Sequence, residues 1–421
     1  MYQTVKGTYD ILPDQFEKRR RLKSIFKDVV ESYGYRLMET PIFEYAGVFK
    51  KENDTSDMVT KEMYTFSPNN KDILNLRPEG TAGIVRSLIQ NKLYGTYELP
   101  IKLAYMGEMF RHERPQKGRQ RQFTQLGIEN IGEKSPLIDA EVIALAYNFI
   151  DFCGLENLKV LINTLGDNQS RLAYSKALKE YFVNYKDELC YDCQNRLEKN
   201  PLRILDCKID KDLDCIKNAP KMKDYLSESS KAYYEKVKQY LDEIGIPYVE
   251  DDALVRGLDY YTDTVFELVS TNENAGSQST VLAGGRYDEL VKQMGGPELS
   301  GIGFACGLER LCLMVDEENK EENDLALPID FYIIDMCAGS NLAFKTAQKL
   351  RGELFNVELN YYNRSMKAQF KSADRKKARY IIIVGEDEVK NNALTIKDSV
   401  NKTQTSVKFD ELDKYLEGLG E

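Results

Sequence analysis

The chain has 421 residues, 42% of them hydrophobic, enough to bury a substantial core in two or three domains. Its net charge of −10 argues against indiscriminate binding to nucleic acid, and its single histidine, His112, nearly excludes a histidine-based triad or a multi-histidine zinc site. The N-terminus has no apolar core of signal-peptide length, and no stretch approaches the ~18 apolar residues of a membrane span, so no membrane association and a cytoplasmic location are expected.

Residues 16–35 carry apolar side chains at helical spacing and end near Gly34, which predicts a helix followed by an extended segment, 36–43, with Pro41 on or beside it. Two strands, 102–110 and 122–131, are predicted around the turn RPQKGR, forming a hairpin. Residues 167–245 read as a mainly helical insertion. Strand signals return at 265–269 and 279–282, and GIGFACGLERL, 301–311, reads as a strand running into a helix. The acidic stretch 315–328 lacks apolar periodicity and is expected as a linker. Beyond it FYIIDM, a helix over 340–355, VELNYY, a helix over 365–377 and RYIIIVG alternate in the manner of a small α/β domain. The expected boundaries are 1–325 and 328–421.

The hairpin stretch FRHERPQKGRQRQFTQLGIE, 110–129, concentrates five basic residues in an acidic protein. Arginine's planar fork matches phosphate oxygens and stays charged at any working pH, so the stretch is a candidate polyphosphate clamp rather than a merely solvated loop. Period-2 alternation should place Arg111 and Glu113 on one face of the first strand, and Phe123, Gln125 and Glu129 along the return strand. An arginine, carboxylates, an amide and an aromatic ring on one concave surface make a plausible nucleotide site.

FRHERPQKGRQRQF resembles motif 2 of class II aminoacyl-tRNA synthetases, and GFACGLERL resembles motif 3. LVRGLDYYTDTVFE, 254–267, and AGGRYDELV, 283–291, resemble signatures specific to the histidyl-tRNA synthetases, as do RPEGTA, 77–82, and KGTYDILP. Several such stretches in the family's order are far more specific than any one alone. The resemblance implies an α+β fold: a class II catalytic core with an antiparallel sheet flanked by helices, a helical insertion and a C-terminal α/β anticodon-binding domain.

It further implies ATP-dependent activation of L-histidine to histidyl adenylate, then acyl transfer to the 3′ end of tRNA(His), by a homodimer with Pro41 at its interface. Fixed positive charge must offset repulsion between the attacking carboxylate and the α-phosphate. By resemblance Arg256 and Arg111 are catalytic. ATP is held by Arg111, Glu113, Arg119, Phe123 and Arg310, with Glu113 accepting from the adenine amino group and Phe123 stacking on its ring. Histidine is held by Glu79, Gly80, Thr81, Arg111, Gln125, Glu129, Arg256, Tyr260 and Tyr261, with Glu129 and Tyr261 at the imidazole nitrogens. A site that buries polar groups for that ring rejects analogues unable to pair with them. Arg114 and Gln116 would meet the tRNA acceptor end, and His112 takes no role. Mg2+ is expected as the ATP counter-ion, without a dedicated protein cage. Gly284 and Gly285 would allow a close backbone approach to a ligand.

Asp263 and Glu289 stand where the family more often has glycine or a basic residue, and add negative charge near the site. Cys190, Cys193, Cys207 and Cys215 invite a structural zinc reading, but the intervals after the first pair are irregular, which favours unliganded thiols and no metal ligand set. In the terminal domain seven basic residues between 360 and 380 face one acid, Asp374. Lys367, Lys371 and Arg375 share a helix face suited to RNA phosphates. The rival readings are a non-catalytic synthetase-like regulatory subunit and a pure RNA-binding protein. The presence of Arg111, Arg119, Arg256 and Arg310 together with the extra domain favours the enzyme.

Overall fold

The computed structural model describes residues 2–50, 57–205, 207, 209–254, 260–271, 280–318, 329–337, 340–360 and 364–419. The chain divides into two compact units, Met1–Asn323 and Asp324–Glu421.

The first unit contains β1 (Arg36–Leu37), β2 (Phe43–Tyr45), β3 (Thr65–Phe66), β4 (Leu74–Leu76), β5 (Ile101–Phe110), β6 (Gln122–Ile131), β7 (Leu158–Thr164), β8 (Tyr248–Glu250), β9 (Thr262–Ser270), β10 (Thr280–Tyr287) and β11 (Gly301–Gly307). Eight of them form one sheet in the order β1-β5-β6-β11-β10-β9-β7-β8. It is antiparallel except at its two outer pairs. The remaining three, β2-β4-β3, make a small sheet of their own. The 36–43 segment is therefore not one strand: it leaves the large sheet after Leu37 and pairs again only from Phe43, with Pro41 between, where a residue without an N–H is tolerated.

Two helices on one side of the sheet are set by clear start signals. Pro13 opens Pro13–Ser32, and Ser135, whose hydroxyl accepts from the Leu137 N–H, caps Pro136–Phe152. Gly34 ends the first helix at φ +80, a conformation costly for any residue with a Cβ. The rings of Phe26 and Phe149 meet edge to face at 5.1 Å, over Leu126 and Ile128 of β6. Each such buried side chain contributes roughly 1.5–3 kcal/mol. The alternate residues of β6 then point to the opposite face, which is where the site lies.

Between β7 and β8 the chain forms Asn168–Phe182, Tyr191–Lys199, Asp214–Lys217 and Glu228–Glu243, joined by short 3-10 turns. The acidic stretch expected as a linker is helical at its start, because the helix Leu308–Glu318 runs into it. Residues 319–328 lie outside the described residues.

The second unit holds a five-stranded sheet, β13 (Val357–Leu359), β12 (Phe331–Asp335), β14 (Tyr380–Val384), β15 (Ala393–Asp398) and β16 (Gln404–Lys408), in that order. The first three are parallel, joined through Leu342–Gly352 and Met366–Arg375, as the β-α-β-α-β alternation predicts. The antiparallel β15–β16 hairpin was not among the sequence expectations.

Candidate active site

A cleft of about 620 Å³ opens on the face of the large sheet opposite those helices. Along β6, Phe123, Gln125 and Glu129 point into it, separated by the two-residue step that sends Leu126 and Ile128 to the core. Gly127 keeps that row open: a Cβ there would lie 2.4 Å from the Tyr105 ring.

One end is acidic and buried. Glu129 is 1% exposed, and its two carboxylate oxygens accept from Thr81 Oγ1 at 2.6 Å and from the Tyr287 hydroxyl at 2.5 Å. Glu79 accepts from the Tyr260 hydroxyl at 3.0 Å and from the Ala82 N–H at 3.2 Å. Gly80 lies behind the wall. Its N–H donates to Gln125 Oε1 at 3.0 Å, and a Cβ would come within 2.2 Å of Tyr105. Tyr260 and Tyr261 pack ring against ring at 4.9 Å and complete this end.

The other end is basic. Arg111, Arg119 and Arg310 line it, from two separate motifs. Arg111 donates from Nε to the Pro78 carbonyl at 2.9 Å, and its guanidinium sits over Phe123 at 5.2 Å. Arg310 donates to the Thr280 carbonyl at 2.7 Å. Burial and the nearby charge of Arg119 both push its pKa below the usual arginine value, the mark of cations gathered where an anion would relieve them. Arg119 faces Glu113 at 3.7 Å across a partly exposed gap, a contact weak enough for a phosphate to displace.

Several expectations change. Arg111 and Glu113 are not on the first strand, which ends at Phe110; the Arg111 N–H donates to the Arg121 carbonyl at 2.9 Å as the chain turns out of the hairpin. Arg114 and Gln116, expected at the tRNA acceptor end, are exposed on the loop tip, where the Gln116 and Arg119 backbones pair across a tight turn. His112 packs against the Tyr64 ring. Gly284 and Gly285 are not on the cleft wall; a Cβ on them would strike the Gly303 carbonyl and the Tyr261 ring, so they make room within β10 and its neighbours. Asp263 and Glu289, expected to add negative charge near the site, are satisfied by Lys134 at 2.5 Å and Asn168 at 3.2 Å, and neither faces the cleft. Arg256 lies outside the described residues.

Sequence reasoning missed Tyr287 and Glu309. Tyr287 holds Glu129. Glu309, next to Arg310, accepts from Arg19 at 2.8 Å and from the Thr124 N–H, locking the strand-to-helix corner to β6. Each is adjacent to a motif arginine, which is the signal that could have found it.

Burial pushes the Glu129 carboxyl from 4.5 up to about 8, against the pull of its two hydroxyl donors. A raised folded-state value means that the stabilising contribution of the proton is complete below the unfolded value and is lost as pH rises through about 8. The Glu129→Gln variant should therefore gain on the unsubstituted protein between about pH 5 and pH 9, by a few kcal/mol at most. Denaturant unfolding across that range measures it; parallel curves would show that no proton is taken up there.

A hairpin of motif 2 type and a strand-to-helix arginine of motif 3 type, meeting over an antiparallel sheet, define the core of a class II aminoacyl-tRNA synthetase. The family model for histidyl-tRNA synthetase matches residues 7–311, and that for the anticodon binding domain matches residues 333–419. The chain belongs to the histidyl-tRNA synthetase family. It is 48% identical over 412 residues to the histidine–tRNA ligase of Bacillus subtilis, covering 97% of each chain. To that of Staphylococcus saprophyticus it is 46% identical, over 99% of this chain and 100% of the other. The solved S. aureus histidyl-tRNA synthetase superposes with a TM-score of 0.84 at 40% identity, over 99% of both chains.

Proposed function

We propose that the protein activates L-histidine with ATP, releasing pyrophosphate, and passes the histidyl group from the adenylate to the 3′ end of tRNA(His). The observation that carries this reading is one cleft with Arg111, Arg119 and Arg310 at one end and Glu79 and Glu129 at the other. The basic end takes the triphosphate and the acidic end the ammonium and imidazole groups, so the histidine carboxylate meets the α-phosphorus between them. Arg111 stands where both anions converge, and its fixed fork stabilises the charge of the in-line displacement without reorganisation. Arg256 joins it by family resemblance. Phe123 offers a ring for adenine and Glu113 an acceptor for its amino group.

The carboxylate of Glu267, on the cleft wall, suits a hydrated Mg2+ that arrives with ATP and neutralises phosphate charge. The exposure of Arg114 and Gln116 at the hairpin tip supports a contact with the acceptor end of the tRNA. A homodimer is supported by the small sheet, where Ile42, Phe43, Tyr45 and Ile73 present exposed apolar side chains around Pro41, the residue the resemblance assigns to the interface. Among the described residues no helix is long and apolar enough to cross a membrane. We place the reaction in the cytoplasm.

Histidine-dependent exchange of pyrophosphate into ATP tests the first step; absence of exchange with histidine, under conditions that support charging by a related enzyme, would refute the proposal. In the second unit Lys367, Lys371 and Arg375 are exposed along one side of Met366–Arg375. Reversing all three to glutamate should raise the KM for tRNA by roughly ten-fold or more and flatten its salt dependence, leaving exchange unchanged. Equal losses in both steps would contradict a role confined to tRNA.

A further inference from the structure

We propose that Cys190, Cys193, Cys207 and Asp210 form a structural zinc site in the insertion between β7 and β8. Their four ligand atoms, three sulfurs and a carboxylate oxygen, lie within 4.8 Å of one another. The Cys190 and Cys207 sulfurs are 3.7 Å apart. With Zn–S bonds of about 2.3 Å, the edge of a tetrahedron is about 3.8 Å, whereas a disulfide would bring sulfurs to about 2.05 Å. The observed separation is that of two corners of one coordination sphere.

The local fold is built for it. Cys190 caps the helix Tyr191–Lys199 and Cys193 sits in its first turn, so the C-x-x-C pair presents both sulfurs from a helix N-terminus, where negative charge is favoured. On the other arm the Asp210 N–H donates to Cys207 Sγ at 3.4 Å, while Asp210 Oδ2 accepts from the Cys190 N–H at 3.0 Å, lacing the two arms together. Such N–H contacts to ligand atoms are the outer support that orients a metal's ligands.

Burial is the second argument. Cys193 is fully buried, and Cys207 and Asp210 are each 4% exposed. The Asp210 carboxylate lies among three sulfurs, and a borderline-soft, tetrahedral ion is the one that three thiolates and one oxygen suit. The cysteine intervals in the sequence are irregular for a four-cysteine set because the fourth member of the cluster is not Cys215, which lies on Asp214–Lys217 outside it, but an aspartate three residues after Cys207.

Cys190 and Cys207 also line the catalytic cleft, so the ion would pin that wall of the insertion in place. The site stands independently of the reaction assigned to the cleft.

Full-length protein purified without chelators should carry about one zinc per chain by elemental mass spectrometry. The Cys193→Ser/Cys207→Ser variant should lose it, while Cys215→Ser keeps it. Should the double variant fail to fold, the unsubstituted protein still decides: a chelator should release zinc and expose three further thiols to a thiol reagent. The proposal is overturned if the isolated protein holds no zinc and its reduced form takes up no added Zn2+. It is equally overturned if a Cys190–Cys207 disulfide is found in the isolated protein, or if a folded double variant retains the metal.

Discussion

Replacing Arg111 by alanine should lower the rate of histidine-dependent pyrophosphate exchange by about 10²–10³-fold, the cost of removing one preorganised charged donor from a developing anion. The guanidinium is held twice, by the Pro78 carbonyl on Nε and by the Phe123 ring beneath its plane. Its fork is thus positioned before any substrate enters, and the stabilisation appears in the transition state rather than in binding alone. The effect should fall on kcat more than on KM. Arg111→Lys should recover little, since a point charge on a flexible stem does not reproduce a planar fork. Because Arg111 is only partly buried, unfolding temperature should stay close to that of the unsubstituted protein. Exchange within a few-fold of normal in a folded Arg111→Ala variant would remove this residue from the reaction.

Much of this cleft was legible because its chemistry is local in sequence. The hairpin declares itself by two alternating runs around a Gly- and Pro-containing turn, and both strands form, with Phe110 opposite Gln122. Phe123, Gln125 and Glu129 follow from period 2 alone. What alternation could not show is where the strand stops, so Arg111 and Glu113 belong to the turn instead. Less legible still were contacts between distant segments: Tyr287 reaches Glu129 across 158 residues and Arg19 reaches Glu309 across 290, and no local pattern records either. The fourth member of the cysteine cluster was hidden for a related reason, because a carboxylate among thiols looks like an ordinary charged residue until the chain folds back on itself. Glycines and charges inside motifs were the opposite problem. Gly284 and Gly285 read as ligand-facing, yet they serve strand packing.

Arg286, in the same AGGRYD stretch, shows how large such a structural role can be. Its guanidinium forms a forked pair with Asp139 of the helix Pro136–Phe152, and both side chains are 0% exposed. Asp139 also accepts from the Thr264 hydroxyl at 2.6 Å, and Arg286 donates to the Glu133 carbonyl at 3.3 Å. The pair therefore ties β10, β9 and that helix together away from the cleft. Arg286→Met should destabilise the protein by about 3–5 kcal/mol, because it strands the Asp139 charge in a dry interior. If that stranded charge is the cause, Arg286→Met/Asp139→Asn should be more stable than Arg286→Met, since the amide still accepts from Thr264 without carrying charge. Denaturant midpoints for the two single variants and the double variant measure the coupling. A loss below about 1 kcal/mol for Arg286→Met, or strict additivity in the double variant, would show that the pair is not a buried ionic tie.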